Sequence, residues 1–136
     1  MSVVDAGSLA AWQEVLESRR QADGAAGLVV GFFWAEFHEP SKRGGQMDTV
    51  FTALQRKYAE TAFVRVNVEE ATEVADLYPI TDVPSFVFLR KGKLVDALEG
   101  ALPADLAKKI DKYLTSDGAE SKIALEEKMR RLIVSA

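Results

Sequence analysis

The chain has 136 residues and contains no cysteine, a single histidine and few prolines. The first absence excludes the most. Without a thiol the chain holds no disulfide, no thiolate nucleophile, and neither a Cys-ligated zinc nor a Cys-ligated iron–sulfur cluster of its own. Thiol–disulfide exchange, which starts with attack by a thiolate, is closed to it. Because His38 is the only histidine, a His-rich metal site or a Ser-His-Asp hydrolase has to use that residue. Long hydrophobic runs are also missing. The longest, Gly27 to Ala35, falls far short of the roughly 20 residues needed to span a bilayer. The opening Met1-Ser2-Val3-Val4-Asp5 has neither the basic nor the apolar block of a signal peptide. These absences make a cytoplasmic or nuclear home the expectation, and a lack of cysteine fits a reducing compartment. There is no excess of cations either. Seventeen Lys and Arg against 21 Asp and Glu give a net charge of −4, so neither nucleic acid nor membrane is the expected partner.

Hydrophobic residues make up 48% of the chain, enough for one ordinary domain with a real core. Ser8 is placed to cap a helix in which Leu9, Trp12 and Leu16 share a face, and Asp23-Gly24 closes it. Gly27 to Trp34 is apolar on both faces, as a central strand between two helical layers should be. Glu36 to Gly45 is polar, carries Pro40 and two adjacent glycines, and reads as a loop. From Gln46 the period changes: Met47, Val50, Phe51, Leu54 and Tyr58 fall on one helical stripe. Val64, Val66 and Val68 alternate with Arg65 and Asn67, which predicts a strand with one side facing polar surroundings.

A short helix around Val74, Leu77 and Tyr78 follows. Ser85 to Arg90 and Lys93 to Leu98 read as strands joined through a tight turn at Lys91-Gly92. Pro103 suits the first turn of a helix faced by Leu106, Ile110, Tyr113 and Leu114. Ser116-Asp117-Gly118 breaks the chain before a final helix from about Glu120 to Val134, with acids early and bases late. With an opening strand near Val3-Val4, the order predicts an α/β fold. Its central mixed sheet has parallel strands and a C-terminal antiparallel hairpin, is flanked by helices and carries an extra C-terminal helix.

Two segments are more specific than this pattern. Phe33-Trp34-Ala35-Glu36-Phe37-His38-Glu39-Pro40-Ser41-Lys42 resembles the thioredoxin active-site segment FWAxWCGPCK. Tyr78 to Phe86 resembles the stretch around that family's cis-proline, at Val83-Pro84, and Glu99-Gly100-Ala101 resembles its last strand and glycine. The resemblance covers residues 1–115 and implies a thioredoxin-like fold. It also implies what has gone. His38 and Ser41 stand where the two cysteines would be, Phe32 stands where the family keeps a buried acid, and Arg43-Gly44-Gly45 looks like an insertion before the helix.

Within the superfamily the chain resembles the N-terminal domain of multidomain monothiol glutaredoxins of the PICOT type. The features that carry this are Phe33-Trp34-Ala35 followed by a degenerate site, Val83 to Phe88 followed by Lys91-Gly92-Lys93, and Asp96-Ala97-Leu98-Glu99-Gly100-Ala101, similar to a DxLEGA stretch. Leu125 to Ala136 resembles the helix leading toward a glutaredoxin domain, so residues 116–136 are expected to be a linker plus that helix. The resemblance implies a [2Fe–2S] cluster and glutathione for such a following domain and no cofactor in this chain.

The implied function is a redox-inactive interaction or targeting module with protein partners. No catalytic residue and no metal ligand is assigned. The degenerate redox site comprises His38, Glu39, Pro40 and Ser41, read as exposed loop residues left after decay of a redox site. The Glu36, His38 and Glu39 group lacks a recognised metal spacing. Trp34, Phe37, Val83 and Pro84 form the candidate partner-binding surface; the alternative is that Trp34 closes the core and Phe37 covers it. Two further readings stand beside the leading one: a non-redox enzyme using His38 and Ser41 as base and hydroxyl, and a structural spacer.

Overall fold

A computed structural model describes residues 3–38 and 41–114. The predicted final helix and the positions Glu39 and Pro40 lie outside these described residues. The elements run β1 (Val4–Asp5), α1 (Leu9–Arg19), a 3-10 turn (Gly24–Gly27), β2 (Leu28–Trp34), α2 (Gln46–Lys57), β3 (Ala62–Asn67), α3 (Thr72–Ala75), β4 (Ser85–Arg90), β5 (Lys93–Glu99) and α4 (residues 103–114). They form one five-stranded sheet in the order β1-β3-β2-β4-β5. β1, β3 and β2 are parallel; β4 runs antiparallel to β2, and β5 to β4.

Local chemistry sets the boundaries. The Ser8 hydroxyl accepts the Ala11 N–H at 3.1 Å and starts α1. Lys91 and Gly92 both take positive φ, 51° and 79°, the twist a two-residue hairpin turn requires.

Strand β2 is buried along its whole length and feeds two cores. On one side Leu28, Val30, Phe32 and Trp34 pack with Met47, Phe51 and Leu54 of α2, Phe63, Phe86, Phe88, and Leu106 and Ile110 of α4. On the other, Val29 and Phe33 pack with Trp12, Val64, Val66, Val74, Val87 and Leu89. Gly31 lies on this second side because a Cβ there would sit 2.8 Å from the Trp12 ring. Trp12 donates its indole N–H to the Tyr78 hydroxyl at 2.9 Å and meets Phe33 edge-on.

Strand β3 keeps the expected alternation, with Val64 and Val66 buried and Arg65 and Asn67 half-buried, but the polar surroundings of Arg65 are protein groups, because a neighbour lies on each edge and helices lie on both faces. Phe63 is buried, and the Arg65 side chain is only 11% exposed, ion-paired with Asp48 of α2. Arg65 also reaches the Thr52 hydroxyl at 3.2 Å and Asp5 at 3.5 Å. A buried guanidinium persists because several of its donors are met at once.

Candidate functional site

The site forms where three chain segments meet at one end of the sheet. Phe33 on β2 pairs with Ser85 on β4, and Trp34 pairs with Asn67 on β3. The turn after β2 therefore lies beside both the residues after β3 and those before β4. This is the carboxyl end of the parallel strands, where open α/β sheets carry their clefts.

After Trp34 the chain makes a tight turn, closed by His38 N–H to the Ala35 carbonyl at 3.1 Å. Glu36 and Phe37 form its exposed corner, and Phe37 is 72% exposed. The His38 carbonyl then accepts the N–H groups of Ser41 (3.0 Å) and Lys42 (2.9 Å). Within this turn His38 Nδ1 and Ser41 Oγ lie 3.0 Å apart. Ser41 Oγ also lies 3.3 Å from the His38 carbonyl oxygen. The contact closes in either sense: the hydroxyl donates to a bare Nδ1, or Nδ1–H donates to Oγ while the hydroxyl turns to the carbonyl.

The expectation of exposed loop residues is corrected here. Ser41 is fully buried and His38 half-buried. Burial follows from the turn, whose backbone bonds fold Oγ back over its own main chain.

The Arg43-Gly44-Gly45 segment is ordered by side chains from elsewhere. Gly44 adopts φ +81°, a conformation glycine takes without strain. Its N–H donates to Asp48 Oδ2 at 2.8 Å, so the third residue of α2 reaches back over the helix start. The other oxygen of Asp48 takes Arg65. Arg43 pairs with Asp5 at 2.8 Å and lays its guanidinium over the Trp34 ring, 5.8 Å from its centre. Asp5, Asp48 and Arg65 were not among the residues expected at the site. The legible signal was an acid in the first turn of α2, where a capping carboxylate belongs.

The candidate docking residues divide. Trp34 is 7% exposed and closes the core beneath Arg43; Pro84 is buried, and Val83 is half-buried. Phe37 alone of the four is freely exposed. The Val83–Pro84 peptide bond is cis. Its flanks are tied down: Ser85 Oγ donates to the Asp82 carbonyl at 2.6 Å, and the Pro84 carbonyl accepts Gly100 N–H at 2.8 Å. Beside Phe37 lies an open hollow of about 240 Å³, walled by Val68, Ala75, Ile80, Thr81, Asp82 and Val83. Among the described residues, no three His, Asp or Glu side chains converge as metal ligands would.

The thioredoxin family model matches residues 9–112. The chain belongs to the thioredoxin family. It is 47% identical over 91 residues to monothiol glutaredoxin-S11 of Oryza sativa subsp. japonica, a match covering 67% of this chain and 18% of that protein. It is 31% identical over 115 residues to glutaredoxin-3 of Bos taurus, covering 85% of this chain and 32% of that protein. The chain thus spans less than a third of these two relatives. Among solved structures, thioredoxin NaTrxh from Nicotiana alata superposes with a TM-score of 0.73 at 32% identity, covering 82% of this chain and 91% of that one. In this thioredoxin domain, then, a half-buried imidazole on a buried hydroxyl stands where the resemblance implies a dithiol, and an apolar hollow lies beside Phe37.

Proposed function

We propose that this domain recognises other proteins through the hollow beside Phe37 and makes no covalent bond with them. The observation that carries the reading is the His38–Ser41 pair, at the positions of the missing thiols and 3.0 Å apart. Thiol–disulfide exchange consumes a thiolate, and the chain has none to give. The exposed ring and its hollow have no such requirement, and an exposed aromatic beside a cleft is what a docking site needs.

The likeness to monothiol glutaredoxins supports a setting in which the domain recruits or targets a glutaredoxin unit that handles iron–sulfur clusters. On this reading the [2Fe–2S] cluster and glutathione belong to that unit, and this domain contributes recognition, in the cytosol or nucleus.

The distance between His38 and Ser41 also favours a second reading, a base and hydroxyl in non-redox catalysis. Against it, the hydroxyl is fully buried and folded onto its own backbone, so an incoming substrate has no path to Oγ.

Insulin reduction by dithiothreitol tests the first reading. The purified chain is expected to give no turnover above buffer. Turnover that persists in His38→Ala and Ser41→Ala variants freed of contaminants overturns the reading of the site. In the longer protein, a recruiting domain cannot be replaced by an unrelated one without losing partner binding. A spacer can.

A further inference from the structure

We infer that the hollow beside Phe37 takes an apolar side chain from a basic segment of a partner protein. This rests on the recognition reading above and names its ligand chemistry. The walls supply the apolar half: Val68, Ala75, Ile80 and Val83, with the Phe37 ring at the mouth. The segments that build the walls supply the charge. From Val66 to Leu89 the chain carries five carboxylates and no Lys, Arg or His.

Three of the five lie at or next to wall residues in the chain: Asp82 is itself a wall residue, Glu69 follows Val68 and Asp76 follows Ala75; outside that stretch, Glu36 precedes Phe37. Glu70 is turned away to the Asn67 amide at 3.2 Å. Among the described residues, Glu36, Glu69, Asp76 and Asp82 have no ion-pair partner. The cations on the neighbouring segment are Lys42 and Arg43, and Arg43 is held by Asp5 over Trp34. An apolar cleft lined by Asp82 and built from segments that carry further unpaired carboxylates draws in cationic chains and repels acidic ones, and it does so more strongly at low salt.

The test uses the full chain and three short fluorescent peptides with one central leucine flanked by lysine, serine or glutamate, read by anisotropy at low and physiological salt. The lysine peptide is expected to bind about tenfold more tightly than the glutamate peptide, with the gap narrowing as salt rises. Asp76→Asn combined with Asp82→Asn is expected to reduce that gap by about twofold per carboxylate, within the range of an exposed ion pair, and to leave the serine peptide unchanged. Phe37→Ala weakens all three. Both positions are exposed, so the variants keep the fold, which circular dichroism checks. Equal binding of all three peptides that still depends on Phe37 overturns the basic preference and leaves the recognition reading standing. No binding by any peptide, or lysine-peptide binding that ignores Phe37→Ala, overturns both.

Discussion

Replacing Phe32 by aspartate is the sharpest test of how deeply the site has been rebuilt. This is the position where the family resemblance implies a buried acid. Here the ring is fully buried, stacked on Phe86 with centres 4.9 Å apart and tilted against Phe51 at 5.0 Å. Cutting back a buried phenylalanine costs about 3–5 kcal/mol, which includes its ring contacts. A carboxyl left among aromatic and aliphatic neighbours adds at least ~1–3 kcal/mol. The sum, about 4–8 kcal/mol, rivals the whole stability of a typical domain, about 5–15 kcal/mol. Phe32→Leu keeps the site apolar and is expected to cost only about 1–2 kcal/mol.

Urea titrations of both variants, followed by circular dichroism, measure the difference. Its pH dependence has a definite sign. Burial without a partner raises the introduced carboxyl's pKa in the fold above its unfolded value. The folded state then binds the proton more tightly, so Phe32→Asp is most stable in acid and loses stability as pH rises through the carboxylate range. The gap to Phe32→Leu should be widest near neutrality and shrink toward about pH 3–4. Equal midpoints at neutral pH, or a gap that grows on acidification, would refute the reasoning.

Gly31→Ala places a Cβ 2.8 Å from the Trp12 ring and 2.9 Å from Val87 Cγ2. It is expected to cost about 1–3 kcal/mol and to lower the melting temperature by several degrees; an unchanged melt means the Trp12 side of the core gives way freely. Asp96 joins β5 to α4: burial pushes its carboxyl pKa up, but the bonds from Lys109, the Ala97 N–H and Tyr113 outweigh that and hold it below the usual range. A lowered pKa means the contribution is present above the ordinary carboxylate range and is lost as pH falls through the folded value. Asp96→Asn should therefore flatten the acid limb of the stability profile, and an acid limb identical to the parent's refutes the assignment.

The elements were legible wherever a local rule set them. Ser8, the Lys91-Gly92 turn, Pro103 and the change of period at Gln46 mark boundaries that the chain keeps, because caps and turns depend on neighbours within a few residues. The environment of Arg65 was not legible. Alternation along β3 tells which residues share a face; whether that face meets water depends on α2, and Asp48 arrives from seventeen positions away. Ser41 was misjudged for a related reason. A polar segment with two glycines reads as a solvated loop, yet Asp48 pins Gly44 and the His38 carbonyl gathers three groups. Trp34 lost its exposure to Arg43, part of the segment that interrupts the family pattern.

That interruption changes what lies at the start of α2 while the sheet and its cores stay whole. In an active site of this type, a thiolate gains from the positive end of the helix that follows it. Here α2 begins only at Gln46, after a separate turn and a glycine pair, and Asp48 in its first turn takes the Gly44 N–H just ahead of the helix. The two cores draw on β2, β3, β4 and the helices, and neither His38 nor Ser41 belongs to them. The imidazole and hydroxyl of that pair meet each other's polar groups at 3.0 Å. By contrast, the walls of the hollow come from segments bound to the sheet ends: Val68 donates its N–H to the Trp34 carbonyl, and Thr81 is tied to Glu99. Loss of the thiols leaves those bonds untouched, so the hollow keeps its shape for as long as the sheet does.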